Sequence, residues 1–453
     1  MRMSIKFRLT VMSFLQFFVW GAWLITIGNY WFGTKQWSGA EFGAIFSTLG
    51  ISSIFMPALT GIIADKFINA EKLYGVLHIL GGIALLFLPQ VNNSVTFYWI
   101  IFAAMLCYMP TIALSNSVAY TILKNNEYDV IKVFPPIRVW GTIGFIVAMW
   151  TTNLSGNKAA ANMFYIAACS AVILGIYSFT LPKCPPQKLI ADNASFAEKF
   201  GLKAFKLFGT YKMALFFIFS MFLGGALQLT NMYGDSYISE FNKMTYYADL
   251  FAKYETVFLP KFHALGSFWD KIDYIFHYPN LIPSLVIRYS TIIMSISQIS
   301  ETVFILAIPF FLRRFGIKKV MLISMLAWVF RFGLFAYGNP SDGLWMIVLS
   351  CIVYGMAFDF FNISGSLFVE TTTDASIRSS AQGLFMMMSN GFGAFFGGLV
   401  SGIVIDKFFT HAGNRDWHSI WLSFSCYALV IEVLFAIMFK HKHDPKALET
   451  VHH

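Results

Sequence analysis

The sequence predicts an all-α polytopic membrane protein with twelve spanning helices in two six-helix bundles. Three observations predict it. The 453 residues are 57% hydrophobic and only 12% charged, about half the charged share of a soluble chain. Apolar runs of roughly 20 residues, the length that crosses a hydrocarbon core, recur along the chain. Six of these runs, a basic stretch, and six more divide it in two. A transmembrane barrel would show short alternating segments instead.

The first span is read over residues 9–32. Its opening, MRMSIKFR before an apolar run, imitates a signal peptide. The run continues to about Phe32 with no A-x-A site, so it is read as a retained helix. Spans two to six are read over 41–64, 73–91, 95–123, 135–153 and 159–182. Span five opens on Pro135 and Pro136, which suit a first helical turn. A basic linker follows at 183–212, and spans seven to twelve at 213–236, 289–312, 319–338, 343–369, 379–405 and 417–440. The expected domains are thus an N-terminal bundle 1–182, the linker, a C-terminal bundle 213–440 and a tail 441–453. The loop 237–288 is long and rich in Tyr, Phe and Lys. It is read as a short helix or two on the outer surface, with a lid role left open.

Charge sets the orientation. With both termini cytoplasmic, inside segments hold 21 Lys and Arg against four in the short outside loops, as the positive-inside rule requires. That bias also accounts for the net charge of +9, so no nucleic-acid partner is expected. Cys107, Cys169, Cys351 and Cys426 fall in spans, and Cys184 falls in the linker. No external pair arises, and no disulfide is expected. The linker and weak echoes such as GIIADKF (61–67) and FLRRFGIKK (311–319) suggest an internal repeat.

The informative residues are polar ones at mid-membrane depth. Gln298 and Glu301 in span eight share a helix face. A charged group there is costly, about 2.5 kcal/mol or more by insertion scales, so that face points away from lipid. Arg138, Thr142 and Phe145 form one stripe of span five. Arg138 either snorkels to the interface or partners a buried acid. Gln228 and Asn231 share a face of span seven. They serve either a helix–helix hydrogen bond or a neutral polyol or base. Tyr354, Phe358 and Phe361 form an aromatic stripe in span ten beside Asp359 and Asn362, read as packing or as pocket lining. Gln16, Trp20 and Trp23 in span one leave the same choice open. Rings stack on flat ligands, and carboxamides and carboxylates hold hydroxyls.

Neither a G-x-x-x-x-G-K-[ST] loop nor a metal-spaced His/Cys cluster is present. No enzyme activity, cofactor or metal is expected. The energy source is read as an ion gradient, with protons favoured because a carboxyl deprived of water holds its proton closer to neutrality. The residues leave open a proton-coupled symporter of a base- or polyol-bearing ligand, with sugars as the alternative, and a membrane sensor that binds without accumulating.

Six stretches carry a resemblance over nearly the whole chain. They are FLQFFVWGAWL (14–24), FMPALTGIIADKF (55–67), FPPIRVWGTIGF (134–145), SISQISETVFIL (295–306), FDFFNISGS (358–366) and SAQGLFMMMSNGFG (380–393). They resemble the nucleoside:H+ symporters of the major facilitator superfamily. The resemblance implies that superfamily's fold and a midplane site between the halves. It implies import of a nucleoside such as uridine or adenosine, coupled to protons, by a monomer in a bacterial inner membrane. It places nucleoside contacts on Arg138, Thr142, Phe145, Gln228, Asn231, Gln298, Glu301, Tyr354 and Phe358. It places proton coupling on Asp359, with Glu301 and Arg138. The chain departs from the family's pattern in two places. The seventh loop is longer, and Ala226 stands where an acid is expected.

Overall fold

Breaks in the helical ladder, more than helix propensity, set where each span begins and ends. The computed structural model describes residues 4–186, 202–278, 281–374, 377–411 and 413–441. Residues 187–201 of the expected linker and 442–453 of the expected tail lie outside the described residues. The first half holds α1 (Ile5–Gly21), α2 (Gly39–Lys66), α3 (Ala70–Phe87), α4 (Ser94–Asn125), α5 (Val130–Leu154) and α6 (Asn162–Ser178). The second begins with α7 (Tyr211–Glu240). Four short helices follow, α8 (Thr245–Lys253), α9 (Leu259–Ala264), α10 (Phe268–His277) and α11 (Ile282–Arg288). Then come α12 (Ser290–Tyr337), α13 (Leu344–Thr372), α14 (Arg378–Met386), α15 (Ala394–Val404) and α16 (Trp417–Met438).

Nine helices among the described residues are long and apolar enough to cross a membrane. One of these, α12, is two spans joined at Gly316, whose φ of 78° only glycine adopts readily. α14 runs through the π-helical stretch Met387–Gly393 into α15 as one span. Two shorter helices complete the set. α6 is apolar over 17 residues, and α1 runs on through turns into the π-helical stretch Asn29–Lys35. The total is twelve spans, as the sequence predicts.

Two boundaries and the long loop differ from expectation in ways with a clear cause. Span five starts at Val130, before the prolines, because the Asp129 carboxylate accepts the Lys132 N–H at 3.2 Å and caps the helix there. Span seven continues to Glu240, where the carboxylate accepts from Arg415 at 2.7 Å and from the Trp417 indole at 2.8 Å. The long loop forms four short helices, not one or two. Phe258 packs against Tyr274 with ring centres 4.8 Å apart, and Glu255 pairs with Arg288. These aromatic contacts give the loop a core of its own.

Each half repeats one packing scheme. In the first half α1 packs on α5, α2 on α4 and α3 on α6. In the second, α7 packs on the span of α14 and α15, α12 on α13, and α12 on α16. The eighth and tenth spans meet where the Ser300 hydroxyl bonds the Ile352 carbonyl. The ninth and twelfth meet where Ser425 donates to the Val329 carbonyl at 2.9 Å. The pairs are 1–5, 2–4 and 3–6 in one half and 7–11, 8–10 and 9–12 in the other. The contacts across the halves, 2 with 11 and 5 with 8, are symmetric as well. This is a parallel repeat.

Across the halves, the hydrogen bonds among the described residues gather at the end that carries the long loop. Asp235 Oδ2 accepts from Asn29 Nδ2 at 2.5 Å and from the Thr291 hydroxyl at 3.0 Å. The Lys158 ammonium donates to the Ile287 carbonyl at 2.6 Å, to Ser290 Oγ at 3.0 Å and to Ser239 Oγ at 3.2 Å. The Trp150 indole donates to Ser295 Oγ at 2.9 Å. The Asp406 carboxylate accepts the Gly39 N–H at 2.8 Å and the Ala40 N–H at 2.7 Å. It therefore caps α2 from the other half of the protein. The first N–H groups of a helix have no partner within it, and such a cap is worth about 1 kcal/mol.

Asp406→Ala removes that cap only in the conformation closed at the loop end. The population of that conformation relative to the open one is expected to fall about fivefold, the equivalent of about 1 kcal/mol. Spin labels at Asn92 and Asp342, exposed in opposite halves, would report this as growth of a longer-distance population. An unchanged distance distribution would contradict it.

Candidate functional site

Polar groups buried among these helices divide into two kinds. The first kind is saturated. Gln16 on α1 donates to Thr111 Oγ1 at 3.0 Å. Its Oε1 accepts from Tyr74 at 2.6 Å and lies 2.8 Å from His78 Nε2. Its carbonyl accepts from Tyr108 at 2.7 Å. Every group has a partner within one half, so Gln16 is a structural residue. That settles the first-span stripe for Gln16, and Trp23 packs on Phe164. Trp20 alone of the three meets a candidate residue, edge to face with Phe145 at 6.5 Å.

The second kind makes no side-chain hydrogen bond to another described residue. It comprises Arg138 and Thr142 on α5, Gln228 and Asn231 on α7, Gln298 and Glu301 on α12, and Asp359 and Asn362 on α13. Gln228 Oε1, Gln298 Oε1 and Asp359 Oδ2 are fully buried with no partner. Buried polar atoms are nearly always paired in folded proteins. Among the exceptions in the described residues are these three atoms, on residues the sequence places at mid-depth.

The structure draws the three charged members together. Arg138 of the first half and Glu301 of the second lie within electrostatic reach of each other, as do Glu301 and Asp359. Arg138 is half-buried, its guanidinium 4.0 Å from the centre of the Phe17 ring. Glu301 is held by close packing. A side chain on Gly355 would meet the Ser300 carbonyl carbon at 2.6 Å and the Glu301 nitrogen at 2.7 Å. Spans eight and ten therefore touch backbone to backbone there, as small residues permit.

The rings are ordered. Tyr354 and Phe358 stack one turn apart, centres 6.0 Å and planes 10° apart. Trp328 stands perpendicular to Tyr354 at 6.0 Å. A cavity of about 30 Å³ lies beside Phe358, bounded by Leu227, Trp328, Asn362 and Asn390. Phe361, the third ring of the predicted stripe, instead packs against Phe216 and Phe385. It also borders the same cavity.

Sequence reasoning passed over Arg331. A cation deep in span nine nonetheless carries the same signal as Arg138. Arg331 is fully buried, and its donors reach three other spans.

A family model described as "Nucleoside H+ symporter" matches residues 3–444. The nucleoside permease NupG of Escherichia coli is 46% identical over 454 aligned positions, covering 100% of both chains. The xanthosine permease of Escherichia coli is 45% identical over 99% of each. A crystal structure of the nucleoside transporter NupG superposes with a TM-score of 0.84 at 46% identity, covering 97% of this chain and 100% of that one. Of the readings the residues left open, these relatives favour nucleosides over sugars, and a multi-pass transporter over a sensor. The motifs, the repeat of the helical pairs and the match over nearly the whole length converge, and the chain belongs to the nucleoside H+ symporter family.

Proposed function

We propose that this chain imports nucleosides with protons by alternating access, and that the unpaired polar set is where both are held. The nucleoside is held by Arg138, Thr142, Phe145, Gln228, Asn231, Gln298, Glu301, Tyr354 and Phe358. The base stacks on Phe145, Tyr354 or Phe358, and the carboxamides and Glu301 take the ribose hydroxyls and base edges. Asp359 carries the proton with Glu301, and Arg138 is the cation that both can sense. One observation supports this most: Gln228, Gln298 and Asp359, on three different spans, each keep a buried oxygen without a partner among the described residues, and Asp359 shares its helix with the stacked Tyr354 and Phe358. Burying such groups without partners costs about 1–3 kcal/mol each. A polar ligand that satisfies them recovers that cost.

In this reading residues 1–182 and 213–440 are the two rocking bodies and 183–212 links them. The long-loop end faces outward, and both termini lie in the cytoplasm of a bacterial cell, with the chain a monomer in the inner membrane. The work is transport with no catalysed reaction.

The test is uptake of labelled uridine by vesicles containing the purified protein. An inward proton gradient should drive uridine above equilibrium, and a protonophore should collapse the excess. Excess adenosine should compete and lactose should not. Mere equilibration under a proton gradient would defeat the reading.

A further inference from the structure

Arg331 sits in the second span of α12, fully buried, with no acid paired to it among the described residues. A guanidinium does not lose its proton in proteins, and an unpaired charge at this depth is costly. Its donors go to neutral acceptors on three other spans. Nε donates to Thr230 Oγ1 on α7 at 3.2 Å. Nη1 donates to the Ser350 carbonyl on α13 at 2.7 Å and to Ser297 Oγ in the first span of α12 at 3.4 Å. The Ser350 hydroxyl returns a bond to the Arg331 carbonyl at 2.8 Å. The guanidinium carbon lies 4.6 Å from the centre of the Tyr354 ring, within cation–π range.

Each anchor adjoins a candidate ligand residue. Thr230 lies between Gln228 and Asn231, Ser297 precedes Gln298, and Ser350 is one turn before Tyr354. We propose that Arg331 is the positioning residue for the second half of the nucleoside site. Its planar fork fixes the relative placement of the three spans that carry these groups. Its charge holds the Tyr354 ring, which in turn stacks on Phe358. Lysine cannot do all of this, because a point charge lacks the fork that reaches separate acceptors in fixed directions. The inference rests on the assignment of Gln298 and its neighbours to the nucleoside.

The test compares KM and maximal rate of uridine uptake for Arg331→Met, Arg331→Lys and Gln298→Ala, normalised to correctly folded protein. Arg331→Met keeps the length of the side chain and removes charge and donors. It should raise KM about tenfold or more at nearly unchanged maximal rate, the signature of lost ligand positioning. Arg331→Lys retains a cation near Tyr354 and one acceptor but lacks the fork, and should raise KM about threefold, between wild type and Arg331→Met. Should Arg331→Met not fold, the Thr230→Val/Ser297→Ala pair leaves the arginine in place and removes two of its acceptors. That pair should raise KM about threefold. A raised KM in Gln298→Ala with wild-type KM in Arg331→Met, or in the double variant, overturns the role of Arg331 alone. Wild-type KM in all of them overturns the site assignment along with it. A lower maximal rate at unchanged KM in Arg331→Met marks a structural arginine and also overturns the proposal.

Discussion

Asp359→Asn abolishes accumulation of uridine against its gradient while leaving exchange across the membrane nearly intact. That split is the expected result because the amide keeps the size and hydrogen-bonding reach of a protonated carboxyl but cannot release a proton. Asp359 is 4% exposed, and one of its oxygens has no partner. Its electrostatic neighbour is Glu301, and Glu301 in turn senses Arg138 of the other half. Two ionised carboxyls and one cation would leave one uncompensated negative charge in a dry interior, which is costly, so a proton occupies one acid whenever Arg138 neutralises the other. Replacing Asp359 by Asn fixes the protonated condition permanently. Net gradient-driven uptake should fall at least about tenfold, a change of about 1.4 kcal/mol or more in coupling. Counterflow of labelled against unlabelled uridine should stay within about threefold. Glu301→Gln should lose both, because Glu301 is read as a ligand for the nucleoside as well as a proton carrier. Wild-type accumulation in both variants would remove protons from this pair altogether.

Much of this site is legible in the sequence because a membrane interior makes polar residues conspicuous. Glu301, Gln298, Arg138 and Asp359 each stand out in an apolar span, and the structure brings Glu301 within electrostatic reach of both Arg138 and Asp359. The helix count is legible for the same reason, since each span must be about 20 residues long. Helix starts are less so. Asp129 starts span five by capping it, and a cap that precedes a proline pair competes with the prolines as a start signal. The sequence also gives no means of separating Gln16 from Gln228. Both are carboxamides in apolar helices. Only the packed bundle reveals that Tyr74, His78, Tyr108 and Thr111 converge on Gln16 from other helices, while Gln228 meets no side-chain partner among the described residues. Arg331 was missed for a related reason. Its partners Thr230, Ser297 and Ser350 are small hydroxyl residues, common in spans, and their convergence is a property of the packed bundle.

Gly398→Val is expected to hold the loop end open and to slow uptake. In the closed arrangement a side-chain carbon on Gly398 would lie 3.0 Å from the Gly43 carbonyl oxygen and 3.2 Å from both the Phe46 Cβ and the Ser47 nitrogen. Two of these three atoms are backbone of α2, and a helix backbone cannot turn aside as a flexible side chain can. Spans two and eleven must therefore separate, and overpacking of this kind costs about 1–3 kcal/mol. The cost falls only on the conformation in which the halves touch at this end. The open conformation releases it, along with the Asp235, Lys158 and Asp406 contacts that hold the closed end. The closed population should therefore fall roughly fivefold to a hundredfold relative to the open one, following those energies. The transport cycle must pass through the closed form to release its cargo on the other side, so uptake should drop by a similar factor. Gly383→Ala is the control, because a side-chain carbon there meets nothing within 4 Å. It should leave both uptake and loop-end distances as in the wild type. A Gly398→Val protein with wild-type spin-label distances and wild-type uptake would mean that the seam between spans two and eleven does not close during transport.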